Sequence, residues 1–146
     1  MRRSLLIAVV GVAACASAMS RGADDIPMDD GDQPVRIALS TSDASAKVGG
    51  TGTWRIYSRN SANLVISGTS SETMQVEPRG GQLVAIRRGV VTSRFRAPFL
   101  VRATTPGSFV TYEGKRYRGE LMISPGDGGL LVVNRLGVES YLRGVV

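Results

Sequence analysis

Short apolar segments separated by glycine and proline constrain the fold of this sequence more than any other feature. The segments that alternate apolar with other residues, or are briefly apolar throughout, are 35–39, 53–57, 64–66, 73–76, 82–87, 99–103 and 109–112. Turn-forming residues separate them at Gly49-Gly50, Gly68, 78–81, Gly89, Pro106-Gly107 and Gly114. Strands at spacings of roughly 8 to 12 residues with turn signals between them are typical of an antiparallel β domain. We therefore predict antiparallel strands from residue 34 onward, with no helix before Val138.

The segment around Trp54 predicts which of its side chains face the core. In a strand, alternate residues point to opposite faces, so Trp54 and Ile56 share one face while Arg55 and Tyr57 share the other. The alternation favours Trp54 as a core residue and Tyr57 as the surface candidate for stacking on a sugar ring. The run 64–66 is predicted to be a short buried strand.

The last thirty residues, 117–146, predict a hairpin followed by a helix. Two strand-like segments, 120–124 and 130–134, flank the turn-forming residues 125–129, which indicates a hairpin with a loose tip. The period then changes, because the apolar residues recur at i, i+3, i+4 and i+7, which is one face of a helix, at Val138, Tyr141, Leu142 and Val145. The predicted fold class is therefore mainly β: antiparallel strands followed by a short C-terminal helix, as a partial α+β domain.

Three strings within this stretch carry a resemblance to a known family. They are Tyr-Arg-Gly at 117–119, Val-Val-Asn at 132–134 and Val-Glu-Ser-Tyr-Leu-Arg-Gly-Val-Val at 138–146. Together they resemble the middle of the domain shared by stage II sporulation protein D and the amidase enhancer proteins, which act on bacterial cell walls. The likeness is specific over 117–146 and compatible from about Pro34, so residues 34–146 are identified as the amino-terminal portion of such a domain.

The resemblance implies cleavage of the peptidoglycan glycan backbone by a single glutamic acid, without a cofactor. That acid protonates the leaving glycosidic oxygen and then acts as a base toward the sugar's own 6-hydroxyl. In the family it follows the final Val-Val after Pro and one variable residue, so we expect it outside this sequence. Glu139, which stands four residues before Arg143 in the first helical turn, is predicted to be a structural carboxylate. We therefore expect no catalytic residue and no lytic transglycosylase activity within the chain as given.

The same resemblance suggests which residues contact a glycan strand. The predicted substrate-binding residues are Tyr117, Arg118, Gly119, Asn134, Glu139 and Tyr141. A structural interpretation of 117–119 stays open, in which Gly119 marks a strand bulge that requires positive φ or close backbone approach. The alternatives to the enzyme class are a non-catalytic peptidoglycan-binding module, an activator of a cell-wall amidase, and an exported basic β domain of unrelated role.

The amino terminus predicts export. Arg2 and Arg3 precede an apolar run at 5–14 and a small-residue Ala-x-Ala site at 16–18, so residues 1–18 are interpreted as a signal peptide. Alternatively, 12–15 is a lipobox, with residues 1–14 as a lipoprotein signal and Cys15 as a lipid anchor, the one predicted link to a membrane. Residues 19–33 form an acidic linker. We expect a periplasmic, cell-wall-associated or extracellular location.

Charge and composition limit the partners. From Gln33 to Val146 there are fifteen Lys and Arg, thirteen of them Arg, against seven Asp and Glu, a net charge of +8. A basic surface of this kind is a solvated face or a site for an anionic cell-wall polymer or a membrane surface, and export disfavours nucleic acid. The chain has no His and a single Cys, so a zinc site built from these ligands is not expected.

Overall fold

A computed structural model describes residues 33–59 and 63–144. The predicted signal peptide, the lipobox, nearly all of the acidic linker and Val145 lie outside these residues. The described residues form two antiparallel six-stranded sheets and one short helix. The prediction of a mainly β fold with a short C-terminal helix is confirmed.

The elements follow one another closely along the chain. The strands are β1 (Pro34–Asp43), β2 (Ala46–Gly50), β3 (Trp54–Ser58), β4 (Asn63–Gly68), β5 (Thr73–Arg79), β6 (Gln82–Arg87), β7 (Val90–Val91), β8 (Phe99–Ala103), β9 (Val110–Tyr112), β10 (Lys115–Tyr117), β11 (Glu120–Gly126) and β12 (Gly129–Gly137). The helix α1 spans Val138–Leu142. The first sheet has the order β1-β12-β11-β8-β3-β4, and the second has the order β10-β9-β2-β5-β6-β7.

The core lies between the two sheets and contains Trp54, as predicted. The Trp54 side chain is fully buried, and its Nε1 donates a hydrogen bond to the carbonyl oxygen of Thr69 at 2.9 Å. The ring fits because two neighbouring positions are glycine. A Cβ at Gly50 would lie 2.9 Å from Cδ1 of Trp54, and one at Gly68 would overlap the six-membered ring. Packing of one large indole therefore depends on two residues without side chains.

The structure places Gly49 and Gly50 in a strand and not in the turn that the sequence predicts. Both residues are buried inside β2. A Cβ at Gly49 would come within 2.9 Å of the carbonyl oxygen of Glu72, which is backbone and cannot move aside easily. Gly49 and Gly50 therefore permit close approach of neighbouring elements instead of reversing the chain.

The hairpin tip and β4 also differ from the sequence interpretation. Gly126 pairs with Gly129, so only Asp127 and Gly128 form the turn and the tip is tight instead of loose. The prediction that the run 64–66 is buried is also wrong: Leu64 is 54% exposed, and Val65 and Ile66 are only partly buried on the edge strand β4.

The helix begins at Val138 as predicted and has no buried residue. Leu142, on its predicted apolar face, is 51% exposed. Among the described elements, α1 packs chiefly on β12 and β1. A helix this short is marginal in isolation, so its position depends on these two strands.

The four edge strands of the two sheets are short or irregular. In the second sheet, β10 has three residues and β7 has two. In the first sheet, the pairing of β1 with β12 shifts register twice, between Ala38 and Ser40 and between Ser40 and Asp43. The pairing of β3 with the edge strand β4 shifts between Ile56 and Tyr57.

A hydrogen bond joins the two sheets near the end of β1. The Tyr112 hydroxyl, on β9 of the second sheet, donates to Oδ2 of Asp43 on β1 of the first. Tyr112 is only 7% exposed. Burial, reinforced by the hydrogen bond to Asp43, raises the pKa of Tyr112 to about 12. The folded state therefore favours the protonated phenol.

We expect the free energy of unfolding to fall between pH 10 and about 12 because of this tyrosine. The unfolded state releases the phenol proton near pH 10, while the folded state holds it to the higher pKa, so stability is complete below pH 10 and is lost above it. At 1.36 kcal/mol per pKa unit the loss amounts to roughly 2–3 kcal/mol. Urea unfolding at a series of pH values measures it, with Tyr112→Phe as the control. An identical pH dependence in both proteins would contradict the assignment.

Candidate functional site

Four of the six predicted substrate-binding residues line one cavity of about 300 Å³. They are Tyr117, Arg118, Asn134 and Tyr141. The cavity is formed by β1, β10, β12 and α1, together with Phe109 before β9 and Arg118 after β10, and we call it the aromatic cavity. Its other walls include Ile37, Leu39, Phe109, Arg116, Leu136 and Ser140. The helix and the Tyr-Arg-Gly string thus meet at one place, although the strings are separated in sequence.

Three aromatic rings border the aromatic cavity. Tyr117 is half-buried, and its ring centroid lies 6.4 Å from that of Tyr112 with the planes tilted by 49°. Tyr141 is 39% exposed and projects from α1, and Phe109 precedes β9. Aromatic faces beside apolar walls are suited to the C–H faces of a sugar ring or to another flat, partly apolar ligand.

Two guanidinium groups accompany these rings. Arg118 is exposed, and its Cζ lies 5.1 Å from the centroid of the Phe109 ring. This cation–π contact holds the charge over the ring without consuming its hydrogen-bond donors. Arg116 also lines the aromatic cavity. The pair provides positive charge where a ligand carboxylate or phosphate would be recognised.

Asn134 supports the site from within the protein. It is 3% exposed, and its Nδ2 donates to the carbonyl oxygens of Arg118 at 2.8 Å and Glu120 at 3.1 Å. The amide nitrogen is therefore committed to the backbone on both sides of Gly119. Asn134 lines the cavity but acts chiefly by fixing the segment that carries Arg118.

The other two predicted substrate-binding residues, Gly119 and Glu139, do not line the aromatic cavity. Gly119 has φ of +76°, and a Cβ there would overlap the carbonyl oxygen of Arg135. The positive φ and the close approach agree with the structural interpretation of Gly119, but the residue lies in the connection between β10 and β11 and not at a bulge within a strand. Glu139 is exposed in the first turn of α1, and it is not among the side chains that line the aromatic cavity.

Glu120 is a charged residue whose environment the sequence did not reveal. It was expected on the flank of a hairpin, yet it is 7% exposed on the face of the first sheet opposite the core. Its Oε2 lies 2.6 Å from Nε of Arg102, and its Oε1 lies 3.4 Å from Nη1 of Arg135. Because these partners come from the neighbouring strands β8 and β12, only the pairing of the strands identifies them.

Two larger cavities offer less aromatic surface for stacking. One has no aromatic residue among its described walls, and the other has only the buried Trp54 ring at its base. The larger, of about 610 Å³, is bordered by polar side chains that include Lys47, Glu72, Glu113 and Arg116. The other, of about 410 Å³, lies beside Arg55 and Arg87 over the buried Trp54. The aromatic cavity is therefore the better candidate for a sugar, in spite of its smaller volume.

The described part of the chain contains neither a cluster of metal-ligating side chains nor a membrane-spanning helix. Within residues 33–59 and 63–144, no three His, Cys, Asp or Glu side chains come together as a metal site. Over the same ranges, no helix has the length and apolar character to cross a membrane.

Comparisons of the chain with protein-family models, with curated protein sequences and with solved structures find no match. The resemblance to stage II sporulation protein D and the amidase enhancer proteins therefore rests on the strings in 117–146. What it implies about substrate and partners stays a prediction.

Proposed function

We propose that this protein is an exported cell-wall module that binds the glycan strands of peptidoglycan in the aromatic cavity. The observation that carries the proposal is the lining of that cavity, which combines three aromatic rings with two arginines. The strings at 117–119 and 138–146 supply the substrate class through their resemblance to proteins that act on cell walls. The sequence pattern at 1–18 supports export.

The chemistry of a peptide-free glycan strand matches this lining. Its sugar rings present C–H faces that stack on aromatic side chains, and each muramic acid residue carries a lactyl carboxylate. Arg116 and Arg118 would receive that carboxylate through charge-assisted hydrogen bonds. A volume of about 300 Å³ accommodates part of a strand, with the remainder extending into solvent.

Binding is favoured over cleavage by the residues that are present. A lytic transglycosylase requires a carboxylic acid within hydrogen-bond reach of the glycosidic oxygen. None of the described residues lining the aromatic cavity is Asp or Glu, and Glu139 lies on an exposed part of α1. In this proposal the module holds a glycan strand, with a cell-wall amidase as its candidate partner.

We expect Arg118→Ala to weaken binding of peptide-free glycan strands by about tenfold. The change removes one exposed charge-assisted contact without altering a buried group, and 1.4 kcal/mol corresponds to a factor of ten. Arg88→Ala is the matched control, because Arg88 is exposed at the turn between β6 and β7. Fluorescence anisotropy with labelled strands measures both dissociation constants. Binding should also weaken as salt rises, since exposed charges are screened over roughly 8 Å at physiological ionic strength.

Two outcomes would count against this proposal. Equal affinities for Arg118→Ala and Arg88→Ala would show that the strand binds elsewhere or not at all. Release of anhydromuramic ends from the strands by the purified chain would show that it cleaves them, and the assignment of a purely binding role would then be wrong.

A further inference from the structure

A row of charged side chains crosses the face of the first sheet that points away from the core. Strand register places its members directly opposite one another on five adjacent strands, and we call them the arginine row: Arg36, Arg135, Glu120, Arg102 and Arg55. Directly opposed residues in a sheet project from the same face. With neighbouring strands about 4.8 Å apart, the row spans about 19 Å.

The charges in the arginine row are not balanced within the described protein. Glu120 pairs with both of its neighbours, Arg102 at 2.6 Å and Arg135 at 3.4 Å. Arg36 and Arg55, at the two ends, make no ion pair with a described residue. Each stands directly opposite another arginine, and like charges in that position destabilise a sheet. Repulsion between these opposed arginines therefore lowers the stability of the fold, whereas a bound anionic ligand would offset the repulsion.

The exposure of the side chains along the arginine row indicates an extended ligand instead of a small anion. Glu120 and Arg135 are buried, at 7% and 5% exposed, so the centre of the row is closed. Arg36 and Arg55 are exposed, and the side chain of Arg102 is 26% exposed. A ligand that contacts both ends must bridge most of the row.

The end of the row at Arg55 has groups that fit a phosphate. Arg102 is held between the Glu120 carboxylate and the Tyr57 ring, whose centroid lies 5.8 Å from its Cζ. Its Nη2 is buried and has no hydrogen-bond partner within the described protein, while the side chain as a whole is 26% exposed. Arg55 lies directly opposite on β3 and also borders the cavity of about 410 Å³. Two guanidiniums on adjacent strands can approach the tetrahedral oxygens of one phosphate from two sides.

We propose that the arginine row is a binding site for a linear phosphate polymer that lies across the strands of the first sheet. The site is on the opposite face of the sheet from the core, while the aromatic cavity is lined by Ile37 and Asn134, which project from the core-facing side. The two sites are therefore separate. This proposal does not depend on glycan binding.

The test compares two double variants of equal charge. Arg36→Gln with Arg55→Gln removes both exposed ends of the row, and Arg88→Gln with Arg94→Gln removes two exposed arginines beside the second sheet. Titration calorimetry with long-chain inorganic polyphosphate should show at least about tenfold weaker binding for the first variant, because two charge-assisted contacts are lost. The second variant should bind like the unaltered protein. The first variant should unfold at or slightly above the unaltered temperature, because it removes two like-charge pairs, and the second should unfold at the unaltered temperature, since its two side chains are exposed.

Three further arms decide the nature of the ligand. Tripolyphosphate, which is too short to reach both ends, should bind about tenfold more weakly than the long chain. Polyglutamate should also bind more weakly if phosphate is recognised, and glycan binding should be unchanged in the Arg36→Gln, Arg55→Gln variant. Equal weakening by both double variants would overturn the proposal, since it would mean that net charge alone attracts the polymer. Equal affinity for polyglutamate and polyphosphate would overturn it as well.

Discussion

Replacement of Gly119 by alanine is expected to lower the free energy of unfolding by about 2–5 kcal/mol. Two costs combine at this position. A non-glycine residue at φ of +76° costs about 1–2 kcal/mol. The added Cβ would also overlap the carbonyl oxygen of Arg135, and forcing an atom into an occupied space costs about 1–3 kcal/mol more. Urea unfolding of the purified variant measures the sum.

Gly107→Ala is the control that separates these two costs. Gly107 has a similar φ of +73°, but a Cβ there would meet nothing within 4 Å. It should therefore lose only the roughly 1–2 kcal/mol of backbone strain. If the two variants are equally stable, the close approach to Arg135 does not constrain the chain. A loss of glycan binding by Gly119→Ala under conditions in which it stays folded would instead show that the segment 118–120 positions the ligand.

Glu120→Gln is expected to destabilise the protein by about 3–5 kcal/mol. The substitution keeps the shape of the side chain but removes the charge that accompanies Arg135, whose side chain is only 6% exposed. An uncompensated buried charge has a cost of this size. Arg102 loses its 2.6 Å partner at the same time, although its partial exposure lessens the effect. Thermal and urea unfolding should both record the change.

An exposed ion pair provides the comparison for Glu120. Glu77 lies 3.2 Å from Arg79, with side chains 26% and 46% exposed, and Glu77→Gln should cost no more than about 1 kcal/mol. Adding Arg135→Met to Glu120→Gln should recover part of the lost stability, because the unpaired charge is then absent. Similar costs for Glu120→Gln and Glu77→Gln would show that the buried position of Glu120 carries no special weight.

Local sequence pattern correctly predicted the strands in which both the apolar residues and the flanking turn-forming residues are present. The segments 82–87 and 99–103 coincide with β6 and β8, because apolar and β-branched residues there are bounded by turn-forming residues. Trp54 was assigned to the core from alternation alone. The prediction of a turn at Gly49 and Gly50 was wrong. Local sequence does not distinguish a glycine that allows close approach of a neighbouring backbone from a glycine that forms a turn.

The candidate site was predictable only where it is local in sequence. Tyr117 and Arg118 belong to one string and Tyr141 to another, and the fold brings them to one cavity. Phe109 and Ile37 were missed because they come from elements distant in sequence. Local hydrophobic periodicity does not predict which distant residues come into contact. Arg116 adjoins the Tyr-Arg-Gly string and Ser140 lies within the string at 138–146, so these missed residues had a nearby signal. The position of Glu120 between two arginines likewise depends on strand order.

The irregular edges of the two sheets bear on how copies of this protein behave in concentrated solution. An unpaired strand edge invites another chain to add to it, which leads to fibres and aggregates. Register shifts bend an edge away from straight pairing, and edges of two or three residues offer too few hydrogen bonds to hold a foreign strand. The shifts along β1 and β4 and the brevity of β7 and β10 therefore disfavour fibril growth, and we infer that they help the protein remain dispersed when many copies are crowded together.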